Sequence, residues 1–272
     1  MAFAQMGYLD YQQAKLHYGR FGSGPNLLFA FHGFGDRAQI FLALQAALST
    51  QFTVYAFDLP YHGRTQWPMP EFTPEDIKVS LLSLLEHHQV NQCSLMGYSF
   101  GGRVVQALLP LLGDTVQQLY LIAPDGLATK GMRLAQSTPI ALRHYFSRLV
   151  LNRPQLFLAP VRRLYNWGLV SRFIRDFLHK HLETKERRAR VLGFWLSLQH
   201  FNIQLEVVQD WLKDRPEVNL KLYYGSRDEI VTVEGGHQLM NGLPNAQLYL
   251  IEEGHRLIDD DLNELMQEHG LP

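Results

Sequence analysis

Short runs of almost uninterrupted apolar residues recur along the chain: Asn26 to Phe31 (NLLFAF), Phe52 to Phe57 (FTVYAF), Cys93 to Tyr98 (CSLMGY), Gln118 to Ala123 (QLYLIA), Asn219 to Tyr224 (NLKLYY) and Ala246 to Ile251 (AQLYLI). Runs this short, without polar alternation, are the pattern of parallel strands covered on both faces. Ala14 to Phe21 alternates more loosely and closes in the turn cluster Gly22-Ser23-Gly24-Pro25. The G-x-G there precedes a strand and does not open a helix, so it is not a dinucleotide fingerprint. Helical spacing fills the intervals, over Arg37 to Leu48, from Thr73 through Leu85, and from Ser99 through Leu109. Thr73 stands at an N-cap position with Pro74 in the first turn. Strand and helix in alternation predict an α/β fold with a mainly parallel sheet and helices on both faces.

The alternation breaks in the middle. From Leu127 to Arg215 only helical patterning is found, and the strands resume at Asn219. We therefore expect a core made of residues 1–125 and 216–272, with an all-helical insertion over 126–215.

Composition narrows the class without choosing a function. The 272 residues are 46% hydrophobic with a net charge of −1, which describes a globular chain with no global field toward nucleic acid or membrane. The near-zero total hides an asymmetry: residues 126–215 hold 16 Lys+Arg against 6 Asp+Glu, a net of +10, and the remainder is acidic at −11. One cysteine, Cys93, cannot form an internal disulfide, and residues 1–13 lack a signal-peptide pattern, so a soluble cytoplasmic protein is expected. No metal or cofactor site is expected either. His179 and His181 lie two apart in a helical stretch and point to different faces. The run Arg187-Arg188-Ala189-Arg190 reads as a solvated helix face, not a nucleic-acid contact.

The strongest chemical signal is Gly97-Tyr98-Ser99-Phe100-Gly101, a G-x-S-x-G at a predicted strand-to-helix bend. A strand turning abruptly into a helix leaves the middle residue strained, and a side chain at either flanking glycine would collide with the neighbouring element. The serine hydroxyl is thereby exposed above the sheet, with helix N–H groups behind it. On this motif and the order of elements around it, the chain resembles the α/β-hydrolase superfamily, in the serine-nucleophile branch with a helical cap. The resemblance implies that the fold is the α/β-hydrolase fold and that 126–215 is the cap.

It also implies a set of site residues. The family order is nucleophile, acid, histidine, which gives Ser99, then Asp228 after the NLKLYY strand, then His255 after the AQLYLI strand. Asp228 would steady the imidazole, and His255 would take the proton of Ser99 and return it to the leaving group. Asp125 is the rival acid, and His237, in a predicted helix, the rival base. The oxyanion donors would be the backbone N–H groups of Phe34, in the HG-type loop His32-Gly33-Phe34-Gly35, and Phe100. His32 is read as hydrogen-bonded within its loop. Asp58 to Thr65 resembles the family's D-x-P-G-H-G-x-S, with Tyr61 where glycine is usual, Thr65 where serine is usual, and His62 as a packing or hydrogen-bonding residue. Gly97 to Arg103, a Gly-x-Ser-x-Gly-Gly-Arg, also resembles relatives that make a menaquinone precursor, which lends weight to a C–C or lyase chemistry; the other reading of Arg103 is that it caps or solvates the helix.

The expected activity is hydrolysis of a carboxylic ester or related acyl bond of a small to medium apolar substrate, through an acyl-enzyme. Two other readings stand beside it: a C–C hydrolase or lyase acting on an acidic keto compound, whose carboxylate would meet cap arginines, and a non-catalytic ligand sensor. The expected partner is a small molecule, apolar or carboxylate-bearing, with no nucleic acid; membrane-surface contact through the basic cap is a further reading. The sequence does not fix the oligomeric state.

Overall fold

The computed structural model describes residues 2–125, 140–169, 182–202 and 204–269. Its strands are β1 (Gln5–Tyr11), β2 (Ala14–Phe21), β3 (Asn26–Phe31), β4 (Phe52–Phe57), β5 (Cys93–Tyr98), β6 (Val116–Ile122), β7 (Asn219–Gly225) and β8 (Ala246–Ile251). They form one sheet in the order β1-β2-β4-β3-β5-β6-β7-β8. β1 pairs antiparallel with β2 and β2 antiparallel with β4; every other neighbour is parallel. β1 is the strand absent from the sequence expectation.

Burial explains which runs were apolar. β5 is buried along its whole length and β3 at every position but the first, and these two adjacent strands carry the centre of the sheet. Each large side chain fully buried there contributes about 1.5–3 kcal/mol of transfer free energy. The edge strands are open to solvent, β1 exposed or half-buried at every position and β8 at every position but the last, so their composition is mixed.

A tight 3-10 helix over Ala38–Leu44 runs into α1 (Gln45–Leu48), where a single α-helix was expected. The first N–H of that segment, on Ala38, is held by the Asp58 carboxylate at 2.7 Å and not by an N-cap side chain of its own. α2 (Pro74–His88) starts as expected, and Thr73 and Asp76 form a reciprocal capping box. α3 (Phe100–Leu112) follows β5 after the single residue Ser99. α4 (Ile140–Asn152), α5 (Gln155–Asn166), α6 (Lys185–Ser197) and α7 (Leu205–Lys213) lie between β6 and β7. α8 (Glu234–Met240) and α9 (Asp260–Glu268) complete the chain. The helices of the sheet region fall into two packed sets, α1 with α9, and α2, α3, α7 and α8 in succession.

The chain divides into two compact units, 1–129 with 200–272, and 130–199. The first holds the sheet. Helix α7, which the sequence reading groups with the insertion, packs on α3 and α8 of this unit. The second unit has its own cluster of Val150, Leu182 and Leu192, with Leu151 and Trp195 against it. Arg188 is a correction to the solvated-face reading of its arginine run: it is buried and donates to the carbonyls of Leu151, Leu182 and Glu183. His179 and His181 lie outside the described residues.

Candidate active site

Ser99 is the only residue between β5 and α3, and its backbone sits at φ 51°, ψ −116°. That region is essentially reserved for glycine, and occupying it costs on the order of 1–3 kcal/mol. Three backbone hydrogen bonds hold the residue there. Its N–H donates to the Ile122 carbonyl at 2.9 Å, and its carbonyl accepts from Gly102 and Asp125, both at 2.9 Å. The two glycines of the motif are required by close approach. A Cβ on Gly97 would lie 2.5 Å from the Gly101 oxygen, and one on Gly101 only 1.8 Å from the Phe31 oxygen.

His255 lies in the loop after β8 and bridges two groups. Its Nε2 is 3.0 Å from Ser99 Oγ, and its Nδ1 is 2.7 Å from Asp228 Oδ2. An ionised carboxylate only accepts, so Nδ1 carries the hydrogen and the Nε2 lone pair faces the serine hydroxyl. The other Asp228 oxygen accepts from the backbone N–H groups of Ile230 and Val231, at 2.8 and 2.9 Å. Asp228 is buried, while His255 keeps a side-chain exposure of 20%. The loops after β7 and β8 are stitched together by Ser226 N–H to the Ile251 carbonyl and Arg227 N–H to the Glu253 carbonyl.

The rivals fall elsewhere. Asp125 pairs with Arg103 at 3.1 Å, both groups nearly buried. Arg103 is buried, which corrects the solvated reading of it; its partner Asp125 is tied to the serine turn through its N–H to the Ser99 carbonyl. His237 is exposed on α8. The two oxyanion candidates flank the serine in different ways. Phe100 opens α3 directly after it. Phe34 is in the loop after β3, which lies against the turn: a Cβ on Gly33 would be 3.1 Å from the Ser99 Cβ. No group of three or more His, Cys, Asp or Glu side chains able to hold a metal ion occurs among the described residues. Among them, no helix is long and apolar enough to cross a membrane.

Sequence reasoning missed two neighbours of this site. Tyr98 donates its hydroxyl to the His255 carbonyl at 2.9 Å, and its ring lies 5.6 Å from the imidazole. Burial, reinforced by the Asp36 and Asp228 carboxylates, pushes the Tyr98 hydroxyl above its ordinary pKa. Asp36 is the second. Burial raises its carboxyl above the usual range, opposed by the charges of Arg256 and His255. Tyr98 occupies a variable position of the serine motif, where residue type carries no signal of its own.

A model of the alpha/beta hydrolase family matches residues 27–266. The chain is 23% identical over 248 residues to the uncharacterized hydrolase YugF of Bacillus subtilis, covering 90% of this chain and 89% of that protein. It is 27% identical over 240 residues to the pimeloyl-[acyl-carrier protein] methyl ester esterase of Chromobacterium violaceum, covering 84% and 85%. Among solved structures, one from a study of carboxylesterases of Nitrososphaera gargenis superposes with a TM-score of 0.65 at 17% identity, covering 96% of this chain and 97% of that one.

Proposed function

We propose, because the chain belongs to the alpha/beta hydrolase family and is an enzyme acting on a small-molecule substrate, that Ser99 cleaves a carboxylic ester through an acyl-enzyme. The observation that carries this reading is His255 standing between Ser99 Oγ at 3.0 Å and Asp228 Oδ2 at 2.7 Å.

Ser99 Oγ attacks the ester carbonyl carbon as its proton passes to His255 Nε2, and the carbonyl π electrons move onto oxygen. The N–H groups of Phe34 and Phe100 stabilise that oxyanion; one such donor is worth about 3 kcal/mol. The intermediate collapses, the C–O bond breaks, and the leaving alkoxide takes the proton from His255. A water, deprotonated by the same imidazole, then attacks the acyl carbon and releases the carboxylic acid with Ser99 restored. Asp228 stabilises the imidazolium in both halves. The strained Ser99 backbone supports the nucleophile role, since such strain persists where a fold over-determines it.

An ester is favoured over other acyl bonds by the relative whose name gives it a methyl ester of a carrier-bound pimeloyl group. We read 126–215 as the family's inserted cap. Its 16 basic against 6 acidic residues favour a second reading, in which the substrate is anionic and the scissile bond is C–C in an acidic keto compound. A chain-length series of 4-nitrophenyl esters, assayed beside a vinylogous diketone acid, separates the two. The ester reading predicts turnover of at least one ester; inertness to all of them with cleavage of the diketone acid overturns it.

A further inference from the structure

We propose that His62 is a positioning residue for the Phe34 N–H, working with His32 as a reciprocal clasp between the loops that follow β3 and β4. The inference rests on the oxyanion role proposed for Phe34.

Each histidine reaches from its own loop into the other. His32, on the first loop, accepts the Leu59 N–H on Nε2 at 3.0 Å. His62, on the second, accepts the Gly35 N–H on Nε2 at 3.1 Å. The remaining ring nitrogens face carbonyl oxygens, His32 Nδ1 to Gly33 at 2.7 Å and His62 Nδ1 to Pro60 at 3.0 Å. A carbonyl only accepts and a backbone N–H only donates, so both rings are neutral with the hydrogen on Nδ1. The rings meet edge-on at 5.2 Å, and the Phe34 ring meets His62 edge-on at 5.6 Å. Both histidines are buried.

The consequence follows from peptide planarity. The Gly33 carbonyl and the Phe34 N–H belong to one trans peptide unit and point in opposite directions. Two donors grip that carbonyl, His32 Nδ1–H at 2.7 Å and the Asp36 N–H at 3.2 Å. Fixing the oxygen aims the N–H. The next peptide unit, Phe34 to Gly35, is fixed from the other side by His62 Nε2. Both peptides flanking the Phe34 Cα are therefore held, without either imidazole touching the reacting atoms. Preorganised aim of this sort is what an oxyanion donor needs, because a misplacement of about 1 Å can cost a hundredfold in rate.

Side-chain amides separate the contacts. A glutamine oxygen can replace a histidine Nε2, and an asparagine amide can replace Nδ1–H. His62→Gln keeps the acceptor for Gly35, while His62→Asn keeps only the Pro60 contact. His32→Asn keeps the donor to Gly33, while His32→Gln keeps only the Leu59 contact. With the best 4-nitrophenyl ester, and active sites counted by a fluorophosphonate, His62→Asn and His32→Gln are expected to lose ten- to a hundredfold in kcat at unchanged KM. The inhibition constant of a trifluoromethyl ketone, which forms an oxyanion on the serine, rises by the same factor. His62→Gln and His32→Asn stay within about fivefold of wild type. Either of the first pair at the wild-type rate overturns the clasp, as does equal loss in all four that tracks the thermal midpoint. Ser99→Ala is the reference: if it is inert while all four variants run at the wild-type rate, only the clasp fails. If Ser99→Ala still turns the ester over, the underlying reading fails instead.

Discussion

Two histidine–aspartate pairs of nearly equal length occur among the described residues. His255 Nδ1 meets Asp228 Oδ2 at 2.7 Å, and His17 Nδ1 meets Asp58 Oδ2 at 2.8 Å. Beyond the pair they differ in everything that matters for proton transfer. The second nitrogen of His255 faces a serine hydroxyl, and its side chain is 20% exposed. The second nitrogen of His17 is buried with no hydrogen-bond partner among the described residues, and its side chain is 5% exposed. Asp228 spends its other oxygen on Ile230 and Val231 of its own loop. Asp58 instead joins elements, accepting from Ala38 and Arg64 as well as His17. The two pairs are thus alike at the carboxylate and differ at the far nitrogen, and the mechanism proposed for His255 rests on that difference.

Matched substitutions sharpen that contrast, and the largest effect belongs to the first pair. Asp228→Asn removes the acceptor that fixes the His255 tautomer, and kcat on the best ester is expected to fall about 10⁴-fold with the fold intact. Asp58→Asn leaves kcat per titrated site within about tenfold. It turns an amide toward donors that need an acceptor, and costs about 2–4 kcal/mol in chemical denaturation. A 10⁴-fold kinetic loss in the Asp58 variant would break the comparison.

The smallest effect is a slope. Burial, opposed by the Gly33 hydrogen bond and the charge of Asp58, lowers His32 from its ordinary 6.5 to about 4. Between those values the unfolded chain binds a proton that the folded chain refuses, so stability falls as the solution is acidified from pH 6.5 toward 4. His32→Asn lacks the titrating ring and is expected to show a shallower decline over that window, measured by denaturation at pH 7, 5.5 and 4.5. An identical slope in the variant would mean that His32 is not the group being protonated.

The residues differ in how much of this they announce. The parallel strands were legible because central strands, buried on both faces, must be apolar, as β3 and β5 are. β1 was not, because Gln5–Tyr11 is an edge strand whose alternation is blurred by exposure on both faces. That Ser99, Asp228 and His255 meet was legible because each follows a strand in an order that the resemblance supplies. The partners of Arg103 and His62 were not, because their contacts lie 22 and 27 residues away along the chain. Tyr61 shows a local rule read only in part. It takes φ +66° where the resembling motif has glycine, and its hydroxyl is tied to the Met69 carbonyl at 2.9 Å with its ring edge-on to Phe72. Contacts of that kind offset the left-handed backbone, and nothing in the residue type foretells them.

The most direct test is covalent labelling of the purified enzyme with a fluorophosphonate, read by intact and peptide mass. The account predicts a single adduct on the peptide carrying Ser99, loss of ester turnover in step with labelling, and neither labelling nor turnover in Ser99→Ala. An adduct on another residue, or turnover that survives in Ser99→Ala, would contradict it.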